Sequence, residues 1–240
     1  MGGISVLKEA KKMLPFESFV FFGDGKNIPY GTKSINELIK LSDDICTMLI
    51  EEYDVKAIVI ACNTATSAAV SYLRKKYEIP IIGMEPALKP AVKDHYGGTV
   101  GVLATEVTLR EEKFQKLSAL YNVSTTVLEL PAPNLVYLVE RGIVDGDEAL
   151  KEIQVALRGE ASRLDALVLG CTHFVFLREA INTFFEGKLA IYDGNLGTIN
   201  NLKRILEAQA LLASGPEGFV KILNSGGDHL VEQSWKLYRL

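Results

Sequence analysis

Short apolar runs alternate with amphipathic segments along almost the whole chain. The apolar runs are continuous and do not alternate with polar residues, which is typical of parallel strands buried on both faces. The predicted strands are SFVFF (18–22), KAIVIA (56–61), PIIGM (80–84), TVGVLA (99–104), STTVLEL (124–130), DALVLG (165–170), LAIYD (189–193) and GFVKIL (218–223).

The segments between these runs carry helical periodicity. Helices are predicted near 4–13, 34–51, 66–77, 86–95, 106–120, 146–161, 175–185, 198–213 and 228–238. Strand–helix alternation of this kind predicts an α/β protein with parallel sheets. The strands outnumber those of one small sheet, so we expect two lobes that meet near the proline-containing stretch MEPALKP (84–90). The expected division is 1–86 plus 197–240 for the first lobe and 87–196 for the second.

Composition narrows the class of protein. The 240 residues are 48% hydrophobic and 23% charged, as in ordinary globular proteins. A net charge of −4, with acids and bases interspersed, gives no electrostatic case for binding nucleic acid or an anionic membrane. We see neither an apolar stretch long enough to span a bilayer nor a signal peptide. Three cysteines without framework spacing favour a reducing cytoplasm.

Two of the cysteines stand in matching local settings. Cys62 in KAIVIACNTATS (56–67) and Cys171 in DALVLGCTHFVF (165–176) each follow an apolar run and precede polar residues. Functional groups gather where parallel strands end and helices begin, and the helix N-terminus there favours a thiolate. The alternative is that both thiols fill core space. We interpret Cys46 in this way, since it lies within an amphipathic helical pattern.

Spacing excludes several chemistries that use cysteine. A cysteine-dependent phosphatase needs Cys-x5-Arg, but the required positions hold Ala68 and Leu177. No Cys-x-x-Cys redox pair is present, and no paired-ligand motif predicts a zinc site. A Cys171–His173 hydrolase is conceivable, but it leaves the other cysteine unexplained. Inversion of a stereocentre, in contrast, needs an acid on one face and a base on the other, which two thiols can supply.

Seven motifs together resemble those of bacterial glutamate racemase, a member of the cofactor-independent aspartate/glutamate racemase superfamily. In the family's order they are PYGTKS (29–34), ACNTATSAAV (61–70), GMEPALKPA (83–91), GVLAT (101–105), LVERG (138–142), LGCTHF (169–174) and SGGDHLVEQ (225–233). The resemblance implies two flavodoxin-like lobes around a central cleft, commonly in a homodimer. It implies interconversion of L- and D-glutamate without PLP or metal, which supplies D-glutamate for peptidoglycan.

The resemblance also assigns roles to catalytic residues. Cys62 and Cys171 would be the two proton donors and acceptors, the first acting on D-glutamate and the second on L-glutamate. His173 and Glu140 would assist proton handling at Cys171. From the residues alone, His173 could instead be structural, and Glu140 in ERG could be a solvated helix end before a glycine cap.

Further residues are assigned to substrate binding by the same resemblance. Asn63, Thr64 and Thr172 would hold the α-amino and α-carboxylate groups, although residues of these types also cap helices. Tyr30 and Gly31 would bind through backbone donors, although PYG is also an ordinary turn sequence.

The opening of the chain departs from the family pattern, which has a strand ending in Asp-Ser-Gly-x-Gly-Gly. Gly2 and Gly3 match the last two glycines, while the strand, the Asp that supports the first cysteine and the substrate-contacting Ser are missing. Either the sequence starts late or the protein is a degenerate member, and we expect this form to be less stable and weakly active or inactive. Two other functions stay open: a racemase for aspartate or another small acid, and a catalytically impaired binding protein.

Overall fold

The computed structural model describes residues 1–240 except for the side chain of Lys113. The helices are α1 (Ile4–Met13), α2 (Ile35–Tyr53), α3 (Asn63–Lys76), α4 (Leu88–Asp94), α5 (Glu106–Arg110), α6 (Glu112–Tyr121), α7 (Pro133–Glu140), α8 (Asp147–Ala156), α9 (Arg178–Phe184), α10 (Asn195–Ala208) and α11 (Asp228–Arg239). The strands are β1 (Phe19–Gly23), β2 (Ile58–Ile60), β3 (Ile81–Gly83), β4 (Thr99–Ala104), β5 (Thr126–Pro131), β6 (Ala166–Leu169), β7 (Ala190–Asp193) and β8 (Val220–Asn224).

The hydrophobic pattern predicted these strands well, and the predicted α/β class with parallel sheets is confirmed. The prediction was less accurate for helices. The helix expected over 106–120 is interrupted at Glu111, whose extended backbone (φ −60°, ψ 133°) separates α5 from α6. Helix α7 was not predicted, and it begins with a proline, a residue that usually ends helices. Pro133 in fact occupies the first turn, where its missing N–H costs nothing.

The chain forms two compact units. The first contains Met1, Gly3–Met84 and Asn195–Leu240, and the second contains Gly2 and Glu85–Gly194. Within the described residues, none of the helices combines the length and apolar composition needed to cross a bilayer.

A four-stranded parallel sheet in the order β5-β4-β6-β7 organises the second unit. Its central strands are buried on both faces, and Val102, Leu103, Leu167 and Val168 have no exposed surface. One face of the sheet packs against α7, α8 and α9, and the other packs against α4, α5 and α6. The continuous apolar sequence of β4 and β6 follows from this two-sided burial.

Two parallel strand pairs, β1·β8 and β2·β3, lie in the first unit, and no described strand joins one pair to the other. Ile82 of β3 packs with α1 and α10, while Ile58 and Ile60 of β2 pack with α2 and α3. Ser34 caps the amino end of α2, since its side chain accepts a hydrogen bond from the N–H of Glu37.

Parallel pairing places the carboxyl ends of neighbouring strands at one edge of each sheet. Cys62 lies two residues beyond the end of β2, and Cys171 lies two residues beyond the end of β6. Each cysteine is therefore fixed by a strand that precedes it and a helical segment that follows it.

Truncating Leu167 tests the importance of the buried strand β6. Leu167→Ala removes a side chain with no exposed surface, so we expect a loss of about 2–5 kcal/mol in the free energy of unfolding. Val155→Ala on α8 is the control, because Val155 is 59% exposed and should change stability by less than about 0.5 kcal/mol. Urea unfolding followed by circular dichroism measures both, and equal midpoints would contradict the assigned core.

Candidate active site

Cys62 is the N-cap residue of α3. Its backbone is extended (φ −151°, ψ 122°), and its Sγ accepts a hydrogen bond from the N–H of Ala65 at 3.5 Å. The Cys62 carbonyl oxygen accepts the N–H of Thr66 at 2.9 Å. The thiol therefore lies at the amino end of a 14-residue helix, where the backbone N–H groups and the positive end of the helix dipole favour negative charge.

Two opposing effects act on the Cys62 thiol. Burial raises its pKa, while hydrogen bonds from the backbone N–H groups of Ala65 and Thr64 act in the opposite direction. Burial is the larger effect, so the resting side chain is a thiol that gains a prepared anion site once it loses its proton. Cys46 differs, because it is 3% exposed among the apolar side chains of α2 and α3, and burial raises its pKa to about 11.

The polar residues after each cysteine are buried beside it. Asn63 and Thr64 form the first turn of α3, with 5% and 3% of their surfaces exposed. Thr172 follows Cys171 in a 3-10 helix and is 3% exposed. None of the three is the N-cap residue of its helix, because Cys62 and Cys171 hold those positions. The capping alternative for these residues is therefore wrong.

Tyr30 and Gly31 lie in a short 3-10 turn, Tyr30–Thr32, beyond the carboxyl end of β1. The Tyr30 hydroxyl donates to Asp24 Oδ2 at 2.6 Å, and burial together with this carboxylate raises the pKa of Tyr30. Asp24 also accepts from Asn27 Nδ2 at 2.9 Å and from Ser225 Oγ at 2.7 Å. Asp24 therefore orders the loop that presents Tyr30.

Cys171 is held by tight packing at the end of β6. Its backbone is extended (φ −136°, ψ 135°), and it precedes the 3-10 helix Thr172–Leu177. A Cβ at Gly170 would lie 2.9 Å from Cβ of Ala104, so only glycine fits between Cys171 and β4. Phe174 and Leu177, both without exposed surface, anchor the 3-10 helix in the core of the second unit.

A hydrogen-bonded chain leads away from the Cys171 thiol. His173 Nδ1 lies 3.6 Å from Cys171 Sγ, and His173 Nε2 lies 2.6 Å from Glu140 Oε1. The Gly2 N–H also lies 3.1 Å from Nε2, but it cannot donate there while Nε2 itself carries a proton. Because a carboxylate only accepts, we assign the shorter contact as Nε2–H donating to Glu140. Neutral His173 then presents the lone pair of Nδ1 to the Cys171 thiol.

The charge states of Glu140 and His173 suit His173 to accept a proton from Cys171. Burial alone would raise the pKa of Glu140, but the hydrogen bond from His173 and the nearby positive charges together outweigh it and hold that pKa at about 2. Burial lowers the pKa of His173, against the opposing effect of Glu140. At neutral pH the pair is therefore a carboxylate and a neutral imidazole, as an orienting group and a proton acceptor require.

Glu140 reaches His173 because of the helix that the sequence pattern missed. It is the last residue of α7, its side chain is 9% exposed, and the glycine cap follows at Gly142 (φ 78°). The alternative of a helix end before a glycine cap agrees with the structure, but the carboxylate is buried and not solvated. The apolar sequence LVYLV before Glu140 was the available signal that this helix is buried.

Proton transfer is the chemistry that these groups can support. Among the described residues, no cluster of three or more His, Cys, Asp and Glu side chains is arranged to hold a metal ion. The first unit offers a thiol with backbone donors around it, and the second offers a thiol with an imidazole–carboxylate pair behind it. Each unit therefore carries one group that can give or take a proton.

Comparison with known proteins gives consistent matches. The model of the Asp/Glu/Hydantoin racemase family matches residues 5–200. The glutamate racemase of Clostridium novyi (strain NT) is 45% identical over 99% of this chain and 93% of that protein. The crystal structure of Thermus thermophilus glutamate racemase in complex with beta-chloro-D-alanine matches with a TM-score of 0.81 at 32% identity, covering 98% of this chain and 88% of that one.

A second solved structure agrees. Escherichia coli glutamate racemase, in complex with L-glutamate and the activator UDP-MurNAc-ala, has a TM-score of 0.83 at 28% identity, over 99% of this chain and 90% of that one. The resemblance to glutamate racemases inferred from the sequence motifs is confirmed, and the chain belongs to the Asp/Glu/Hydantoin racemase family.

Proposed function

We propose that the protein interconverts L- and D-glutamate by a two-base mechanism without PLP, and so supplies D-glutamate for peptidoglycan synthesis. The observation that carries the proposal is the matched placement of Cys62 and Cys171, each two residues beyond a buried parallel strand and at the start of a helical segment. The names of the similar proteins support glutamate as the substrate.

In the proposed reaction, the thiolate of one cysteine removes the α-proton and the thiol of the other supplies a new one. With D-glutamate, the Cys62 thiolate takes the proton from Cα, and the S–H of Cys171 delivers a proton to the opposite face. The product is L-glutamate, with Cys62 now protonated and Cys171 ionised. The reverse reaction exchanges the two roles, so each turnover leaves the pair ready for the other enantiomer.

The neighbouring side chains have supporting roles in this proposal. Asn63, Thr64 and Thr172 hold the α-amino and α-carboxylate groups, as their burial directly beside the cysteines supports. Tyr30 and Gly31 bind substrate through backbone donors of their turn. An aspartate substrate would need the same α-carbon chemistry, so a panel of L-glutamate, D-glutamate and L-aspartate decides the side-chain preference.

His173 and Glu140 would manage the proton of Cys171. The imidazole accepts the thiol proton as the thiolate forms, and the carboxylate fixes the tautomer and stabilises the charge that appears on the ring. The 3.6 Å and 2.6 Å contacts support these assignments.

The remaining parts of the proposal concern the setting of the enzyme. We infer a cytoplasmic homodimer that needs neither metal nor organic cofactor and binds neither nucleic acid nor membrane. Functional lobes of 1–86 plus 197–240 and 87–196 are supported by compact units that change at Met84 and Asn195.

Serine substitutions test the two-thiol mechanism. Cys62→Ser and Cys171→Ser replace a thiol by a far weaker acid, so each should lower racemisation by about 100-fold to 10,000-fold in both directions. Circular dichroism of the glutamate solution, without added PLP, measures the rate. Cys46→Ala is the matched control and should keep turnover, because that thiol is buried in the core. Wild-type turnover in either serine variant would contradict the mechanism.

The pH dependence of the Cys62 thiol tests its described environment. Because burial raises the pKa, the ionised fraction at any given pH is smaller than in an unfolded chain. Alkylation of Cys62 by iodoacetamide, resolved by mass spectrometry over about pH 7–10, should reach half its maximal rate at a higher pH in the folded protein than in a Cys62 peptide. For the same reason kcat/KM for D-glutamate should rise with pH. A midpoint below that of the peptide would reverse the assignment.

Replacing Glu140 tests the imidazole–carboxylate pair. Glu140→Gln keeps the shape of the side chain but removes the charge, so we expect kcat to fall about 10-fold or more. Because the carboxylate raises the pKa of His173, its removal should move the acidic limb that His173 sets to lower pH, whereas Glu140 itself, with a pKa of about 2, is already ionised throughout that range. Glu148→Gln removes an exposed carboxylate paired with Arg141 and should not change kcat. Equal activity of the two variants would exclude a role for Glu140.

A further inference from the structure

The hydroxyl of Thr66 joins the ends of two strands behind Cys62. Thr66 lies in the first turn of α3 and is 5% exposed. Its Oγ1 donates to the carbonyl oxygen of Ile60, the last residue of β2, at 3.1 Å. The same oxygen accepts the N–H of Met84, just beyond β3, at 3.1 Å. One side chain therefore satisfies two buried backbone groups.

These bonds enclose the turn that carries the thiol. Thr66 holds Ile60 through its side chain and holds the Cys62 carbonyl through its own N–H, at 2.9 Å. A threonine within a helix ordinarily bonds the carbonyl four residues earlier, so a side-chain bond to a strand end six residues earlier is a tertiary contact. The backbone from Ile60 to Cys62 is thus fixed at both ends by one residue.

Gly83 provides independent support for a close fit at this point. A Cβ there would lie 2.4 Å from Thr66 Cγ2 and 3.2 Å from Val70 Cγ2. Thr66 therefore occupies the space that the missing side chain of Gly83 leaves against β3. Both the polar and the apolar branches of Thr66 have a specific partner.

We propose that Thr66 is a positioning residue for Cys62, whose hydroxyl holds the thiol-bearing turn in the geometry that proton transfer needs. This inference rests on the proposed function. Displacement of a reacting group by about 1 Å can cost about 100-fold in rate, so a fixed turn has direct value for catalysis. The residue acts through the backbone of Cys62 and has no contact with the substrate in this proposal.

A pair of substitutions separates the hydroxyl from the shape of the side chain. Thr66→Val keeps the shape and removes the hydroxyl, so kcat/KM should fall about 10-fold to 100-fold, and equally in both directions because the two enantiomers have equal free energy. Thr66→Ser keeps the hydroxyl and should stay within about threefold of wild type. Thr47→Val is the control, since it removes a hydroxyl bonded at 2.7 Å to Tyr77, which lies at the opposite end of α3 from Cys62.

Isotope effects distinguish positioning from general loss of folded protein. With α-deuterated D-glutamate the label passes to Cys62, and with α-deuterated L-glutamate it passes to Cys171. If Thr66→Val slows the Cys62 step, the isotope effect on kcat/KM rises for D-glutamate and falls for L-glutamate. A smaller fraction of folded enzyme lowers the rate and leaves both isotope effects unchanged.

Gly83 supplies a second variant if Thr66→Val does not fold. Gly83→Ala should displace Thr66 and reproduce the loss of activity, because the added methyl overlaps Cγ2. The double variant Thr66→Ser/Gly83→Ala removes Cγ2 while keeping the hydroxyl, so activity should recover by at least about threefold over Gly83→Ala. Failure to recover, with wild-type thermal stability, would contradict the proposed fit.

A readout that needs no turnover separates this inference from the proposed function. Thr66→Val should change the alkylation rate of Cys62 by at least about threefold and leave that of Cys171 unchanged. If wild type has no racemase activity but this selective change occurs, the proposed function fails and the positioning role stands. Unchanged alkylation of Cys62, or symmetrical isotope effects in an active Thr66→Val enzyme, would overturn the proposal.

Discussion

The placement of each cysteine depends on a property of parallel α/β folds: functional groups gather where a buried strand ends and the next helix begins. At that point the backbone turns within two residues, and the following side chain lies at a helix amino end. Cys62 after β2 and Cys171 after β6 both meet this condition. These turns are stabilised further by the packing of Phe174 and Leu177 and by the hydrogen bonds of Thr66.

The two thiols receive support of different kinds. Cys62 is surrounded by backbone donors of its own helix, while Cys171 relies on His173 and, through it, on Glu140 from α7. In a two-base racemase each thiol must be able to ionise, because each acts as the base for one of the two enantiomers. The proposed mechanism therefore needs comparable acidity at both thiols and does not need identical surroundings.

Sequence reasoning located the strands and the cysteines because both leave local signals. Continuous apolar runs follow directly from two-sided burial, as in β4 and β6, and Cys62 and Cys171 stand where those runs end. Helix α7 was missed because the local rule that proline breaks helices does not apply at the first turn. The burial of Glu140 was missed for a related reason. A carboxylate at a helix end is expected to be solvated unless its partner, here His173, is known.

The contacts of Thr66 could not be predicted from the sequence. Its hydroxyl contacts Ile60 and Met84, which are six and eighteen residues away, and neither spacing belongs to helix or strand periodicity. No local sequence pattern predicts that Gly83 packs against Thr66 either. Such contacts appear only once the strands are paired, because they depend on register and on the approach of backbone atoms.

The different support of the two thiols also has a consequence for mutational tolerance. The N–H of Ala65 that bonds Cys62 Sγ belongs to the main chain, so this bond can persist when the side chain of Ala65 changes, provided that Thr66 still holds the turn. The surroundings of Cys171 are made by two side chains on separate elements, and a single base change in the gene can remove either one. Evolutionary divergence in this fold should therefore begin around Cys171, where the fewest substitutions are needed to change the activity or the substrate.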